Sequence, residues 1–256
     1  MEPFALLSLL QMTNSGLPIG AYSYSDGLEF LCNCGRINSA ETLAQWLIQE
    51  LDYGVVRLES GILWRIYHAT GNYATSNQGS NQSLEQNLDR IIYWNHYLSA
   101  TRETEEMRLS SWQMGQSLAK LILELNSKLT DKLTGDLNQI NQIFAKLPTS
   151  KDNSQGLGCN FATSYGIAAS YWQIPPQEML LGYLMSWATN SINAGIKLIP
   201  LGQTVGQQLL RELYPSIVKA AVIAPNLADH DLESCGFGLS LASMQHQVQY
   251  SRLFRS

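Results

Sequence analysis

The chain has 256 residues, 45% of them hydrophobic and only 14% charged, with a formal net charge of −5. That is enough apolar material for a sizeable core, and the acidic balance argues against a protein that tracks nucleic-acid phosphates, which needs a concentrated basic face. No uninterrupted apolar run reaches membrane-spanning length.

Along the chain, apolar residues recur at intervals of three and four, the period of a helix with one buried face. The first helix is predicted over Pro3–Thr13, ahead of a turn-rich stretch over 14–20. A second helical zone opens at Asn38, read as the cap, with Glu41 as the acid of a capping box. It carries Leu43, Trp46, Leu47 and Leu51, and Gly54 divides it from a helix with Leu58, Ile62, Trp64 and Ile66. Residues 71–83 are rich in Asn, Ser, Gln and Gly and read as an exposed loop. Ser83 is then placed to cap a helix through Leu88, Ile91, Ile92 and Tyr97. Arg102 leads into a long helix with Leu109, Trp112 and Ile122, and Glu105 and Glu106 are spaced to pair with it. A shorter helix over 136–147 stops at Pro148, and 148–158 reads as a linker.

Small residues over 159–172 permit close helix approach. Pro175-Pro176 opens another helix, because proline is tolerated in a first turn, and Pro200 ends it. One helix is expected over 203–222 and a loop over 226–238. Leu241, Met244 and Val248 mark a last short helix. No tandem repeat is present. The expected class is all-α: a single-domain multi-helix bundle over residues 1–256.

Catalytic patterns are sparse. The chain has no phosphate-binding Gly-x-x-x-x-Gly-Lys loop, no Gly-x-Ser-x-Gly elbow and no His-Glu-x-x-His helix. Cys32-x-Cys34 could hold a soft ion, but a structural zinc needs about four ligands and no second pair accompanies it. The other reading is two small residues in a turn before Gly35. With Cys159 and Cys235, the four cysteines form no Cys-x-x-Cys pair. The apolar stretch from Phe4 to Met12 follows Glu2 and lacks the basic flank of a secretory signal. A soluble protein of the reducing cytosol fits both observations. His230, between Asp229 and Asp231, is either part of a nickel- or zinc-suited donor set or part of a solvated polar loop. Arg102 and Arg108 could reach a partner's nucleotide as arginine fingers; the competing reading is the helical ion pairing above.

The most informative stretch is the carboxyl-terminal one, Tyr250 through Ser256. Arg252 and Arg255 bracket Leu253 and Phe254. Rigid guanidinium donors around large apolar side chains suit a plug whose anchors fill a pocket while the charges set its register. The alternative is a last turn that packs on its own domain.

Four segments carry a resemblance: Leu10 through Glu29 with Leu17-Pro18-Ile19-Gly20-Ala21-Tyr22-Ser23-Tyr24-Ser25-Asp26-Gly27; Arg102-Glu103-Thr104 through Gln113-Met114-Gly115-Gln116-Ser117-Leu118; Ile192-Asn193-Ala194-Gly195-Ile196-Lys197 through Gln207; and Ala242-Ser243-Met244-Gln245-His246 through Ser256. In this order they resemble the UreF family of urease accessory proteins. The resemblance implies an all-α, non-enzymatic homodimer of the cytoplasm that binds UreD (also called UreH). The pair recruits the GTPase UreG, and the assembly delivers nickel to apo-urease. No stably bound cofactor is implied, since nickel only passes through the complex. The family's tail is implicated in holding UreD, which puts partner binding within 239–256, on Tyr250, Arg252, Leu253, Phe254 and Arg255, with Met244 and His246 on the preceding helix. Cys32, Cys34 and His230 inherit no role. The rival readings are a general helical adaptor or GTPase-regulating module unrelated to nickel, and a metal-dependent hydrolase using His and Cys ligands.

Overall fold

The structure, a computed structural model, describes residues 1–76, 81–127, 137–148, 158–234 and 236–255. Among them lie twelve α-helices and no strand: α1 (Pro3–Thr13), α2 (Leu28–Asn33), α3 (Ala40–Tyr53), α4 (Val55–Ser76), α5 (Asn81–Ala100), α6 (Glu105–Ser127), α7 (Leu137–Lys146), α8 (Phe161–Tyr171), α9 (Pro176–Leu198), α10 (Gln203–Glu212), α11 (Tyr214–Ile223) and α12 (Phe237–Gln247). Three single 3-10 turns, Ala21–Ser23, Ala224–Asn226 and Asp229–Asp231, join them.

α8 is the centre of the bundle. Nine of its eleven residues are buried, and the small ones, Ala162, Gly166, Ala168 and Ala169, let α4 and α6 lie against it. A Cβ on Gly115 of α6 would collide with the Cys159 carbonyl at the entry to α8. A buried amide network bolts the same junction. Asn160 donates its backbone N–H to Asn95 Oδ1 at 2.9 Å and its side-chain amide to the Asn95 carbonyl at 2.9 Å and Ser99 Oγ at 2.8 Å. Ser111 of α6 donates to Asn160 Oδ1 at 3.0 Å. α5, α6 and α8 are thereby joined through polar groups with their hydrogen bonds made. On the other side α1 crosses α9 at Gly182, where Leu9 fills the space a Cβ would need.

Several predicted boundaries move. α3 is capped by Ser39 rather than Asn38, through a box with Thr42 in place of Glu41. The predicted loop over 71–83 is helical at both edges, since α4 continues to Ser76 and α5 begins at Asn81, ahead of Ser83; residues 77–80 lie outside the described ones. Most of the predicted linker, residues 149–157, also lies outside them. The helix expected over 203–222 is two, because Pro215 in the first turn of α11 has no N–H to continue α10.

Candidate functional site

Three of the four sequence segments meet directly at the end of the chain, and the fourth reaches it through one lysine. Gly20, Asp26 and Gly27 all have positive φ, of 80°, 49° and 83°, so the segment folds back sharply before α2. Gly27 also faces α12 closely: a Cβ there would stand 3.1 Å from the Ser243 backbone nitrogen. α12 packs across α2 at this point, and the Thr104 and Ser243 hydroxyls meet at 2.8 Å to tie it to the start of α6.

α12 is turned against its own apolar pattern. Its buried side is Leu239, Ser240, Ala242, Ser243 and His246, while Leu241 and Met244, together with Val248 just past the helix, are exposed. The buried side centres on His246, whose ring has no solvent exposure. Its Nε2 lies 3.1 Å from Glu29 Oε2 and its Nδ1 3.0 Å from Glu106 Oε2. The same two carboxylates hold the tail. Leu253 and Phe254 donate their backbone N–H groups to Glu29 at 2.6 and 2.9 Å, and Arg252 Nη1 donates to Glu106 Oε1 at 2.6 Å. Arg255 donates its N–H to the Ser23 carbonyl at 2.9 Å. Phe254 is buried in its own chain, with Lys197 of α9 5.3 Å from the ring centroid, in cation–π range. Burial raises the Tyr24 phenol, and Arg255 beside it pulls the other way; the Tyr24 hydroxyl bonds Gln113 of α6.

The predicted site residues therefore divide. Tyr250, Leu253 and Met244 present their side chains to solvent, and Arg255 is exposed. Arg252 is partly exposed but committed to Glu106. Phe254 and His246 are buried and hold the tail on its own subunit. Glu29 and Glu106, which do the holding, were not singled out by sequence reasoning for this role. Thr104 carried the missing signal: its hydroxyl accepts the Met107 N–H, the mark of a helix start, and this puts Arg102 outside α6. The expected pairing of Arg102 with Glu105 and Glu106 is thus not formed. Arg102 is buried and bonded to Glu59, which also accepts from the Tyr183 hydroxyl at 2.9 Å. Arg108 donates to the Arg102 carbonyl at 2.6 Å. Buried this way, Arg102 is not presented as a finger.

Beside the turn at Tyr24 and Asp26 lies a cavity of about 80 Å³ lined by these two with Glu50, Glu59, Arg102 and Tyr183 among others, with room for about two or three waters. Burial raises the Asp26 carboxyl, and Arg102 lowers it in part. The candidate ligands lie elsewhere. Asp229 is taken by Arg65, at 2.9 Å from Nε and 2.7 Å from Nη2, and His230 is exposed. Cys32 is half-buried and Cys34 exposed; burial, then Cys34 and Glu29, push the Cys32 thiol up to about 11. Among the described residues, no group of three or more His, Cys, Asp or Glu is placed to hold a metal ion, and no helix is long and apolar enough to cross a membrane.

The fold and this clamp define an all-α protein that displays its last helix and tail as a shaped, partly apolar surface patch. Comparison with known proteins makes the class specific. The UreF family model matches residues 37–214. Proteins described as urease accessory protein UreF are similar along nearly the whole chain. The one from Nostoc sp. is 48% identical over 250 residues, covering 98% of this chain and 95% of its own. That from Synechocystis sp. is 41% identical, covering 98% of each, and that from Janthinobacterium sp. is 36% identical, covering 100% of each. The chain belongs to the UreF family of urease accessory proteins.

Proposed function

We propose that the chain is a non-catalytic scaffold of urease maturation. It binds UreD (UreH) through α12 and the tail, and the pair recruits the GTPase UreG. The assembly passes nickel, as cargo, to apo-urease. The chain acts as a homodimer in the cytoplasm. Family membership supports the urease connection. The observation that carries the docking surface is the exposure of Leu241, Met244 and Val248 at the last helix and of Tyr250 and Leu253 on the tail that follows it. Apolar side chains grouped on a surface mark protein contacts, and aromatic anchors dominate the binding energy of such contacts.

Tyr250, Leu253 and Met244 make the contact. Arg252 acts by keeping the tail in register through Glu106. Capture of UreD and UreG by the tagged chain tests this. Tyr250→Ala with Leu253→Ala is expected to weaken UreD capture by about 10- to 100-fold, and Arg252→Ala by roughly tenfold. Wild-type capture by all of these variants would remove the tail from the interface.

A further inference from the structure

We propose that His246 is doubly protonated, a buried imidazolium strut between Glu29 and Glu106, and that its charge positions the carboxyl-terminal tail. Each ring nitrogen faces a carboxylate oxygen, at 3.1 and 3.0 Å, and the ring is closed to solvent. An ionised carboxylate only accepts hydrogen bonds, and a neutral imidazole has one donor. A neutral ring would therefore set a lone pair against an anion where no water can intervene. With both N–H groups present, each nitrogen donates a charge-assisted bond.

With both carboxylates ionised, the charges around the ring balance once the imidazole carries that proton. Glu29 on α2 and Glu106 on α6 bring two negative charges, and Arg252 on the tail brings one positive charge to Glu106. His246 on α12 supplies the second. Lys197 of α9 faces the Phe254 ring rather than the imidazole. Thr104 and Ser243 contribute neutral hydroxyls, and the Cys32 thiol is held neutral by its burial, with Cys34 and Glu29 adding to the effect.

Ring and tail share their acceptors. Glu29 Oε2 receives both His246 Nε2 and the Phe254 N–H, while Oε1 receives the Leu253 N–H. Glu106 receives His246 on one oxygen and Arg252 on the other. Removing the ring proton repels one carboxylate and carries the tail's bonds with it. His246 is thus a positioning residue: it meets no partner and acts through Glu29 and Glu106. None of this depends on which protein the tail meets.

The test is ¹⁵N NMR of the imidazole nitrogens in the full-length wild-type chain at about pH 7.5, where an ordinary imidazole is mostly neutral, with His246 assigned by the signal lost in His246→Gln. Both nitrogens are expected to show the protonated signature. The Leu253 and Phe254 amide protons are expected to move from their wild-type positions in His246→Gln, which keeps a polar side chain but no charge. Glu106→Gln leaves Glu29 and both tail amides in place but removes the carboxylate facing Nδ1, and is expected to displace the Nδ1 signal. A neutral single-tautomer signature in the wild type would overturn the proposal. So would tail amides unmoved in His246→Gln, or an Nδ1 signal unmoved in Glu106→Gln.

Discussion

Two buried glutamates at this end of the molecule have opposite surroundings. Glu29 accepts two tail amides and an imidazole nitrogen. Glu50, at the end of α3, has a backbone bond from Val55 but is otherwise desolvated, and its burial pushes the carboxyl up to about 7 from 4.5. The sign of the pH effect follows. Below 4.5 the group is protonated whether the chain is folded or not. Between 4.5 and about 7 the folded state binds more protons than the unfolded one, so stability falls as pH rises. The full penalty, roughly 3 kcal/mol, stands above about pH 7. Glu50→Gln removes the charge at nearly constant shape. Urea denaturation should find it more stable than wild type by about 2–3 kcal/mol at pH 8, with little difference below about pH 4. A gain of equal size at both pH values would show that burial is not what strains this carboxyl.

At the scale of the element, the contacts that decide helix placement are close approaches of backbone. α6 meets the entry to α8 at Gly115, where backbone atoms of Cys159 and Asn160 occupy the volume of a Cβ. Gly115→Ala should cost about 1–3 kcal/mol in chemical denaturation, because backbone cannot step aside as a flexible side chain can. Gly238 in α12 has open space around it, and alanine there should leave stability unchanged or raise it by up to ~1 kcal/mol. Helix existence was legible from apolar spacing, as in α4 with Leu58, Ile62 and Ile66. Helix ends were less so, because neighbouring residues compete to cap them. Asn38 and Ser39 both carry capping side chains, and the arrival of the chain at α3 selected Ser39. The apolar spacing of Leu241, Met244 and Val248 correctly marked α12 as a helix, but those three face water while Leu239, Ala242 and His246 are buried. The side chosen for the core is the one small enough to meet α2 and polar enough to hold the clamp.

For the molecule as a whole, the tail is part of the fold through Phe254 and part of the exposed surface through Tyr250 and Leu253. Removing residues 252–256 takes away no helix, so far-ultraviolet circular dichroism should be unchanged. It does take away buried Phe254 and the partners of Glu29 and Glu106. The loss should be about 1.5–3 kcal/mol, a fall of roughly 5 °C in the melting midpoint. Global unfolding would mean that the tail completes the core; an unshifted midpoint would mean that Phe254 contributes nothing by its burial.

Periodicity, proline placement and the order of four segments were enough for the all-α class and for family membership, since both are carried by local pattern along the chain. The same pattern singled out the carboxyl-terminal residues without separating those that hold from those that show. That separation needed the tertiary structure. Glu29 and His246 stand 217 positions apart, and nothing in local sequence says that a glutamate in an early short helix will accept the last amides of the chain. Spacing sets which side chains share a face, but only the packing of α2, α6, α9 and α12 around one point decides which faces are dry, which charges must be balanced there, and which apolar groups are left facing water.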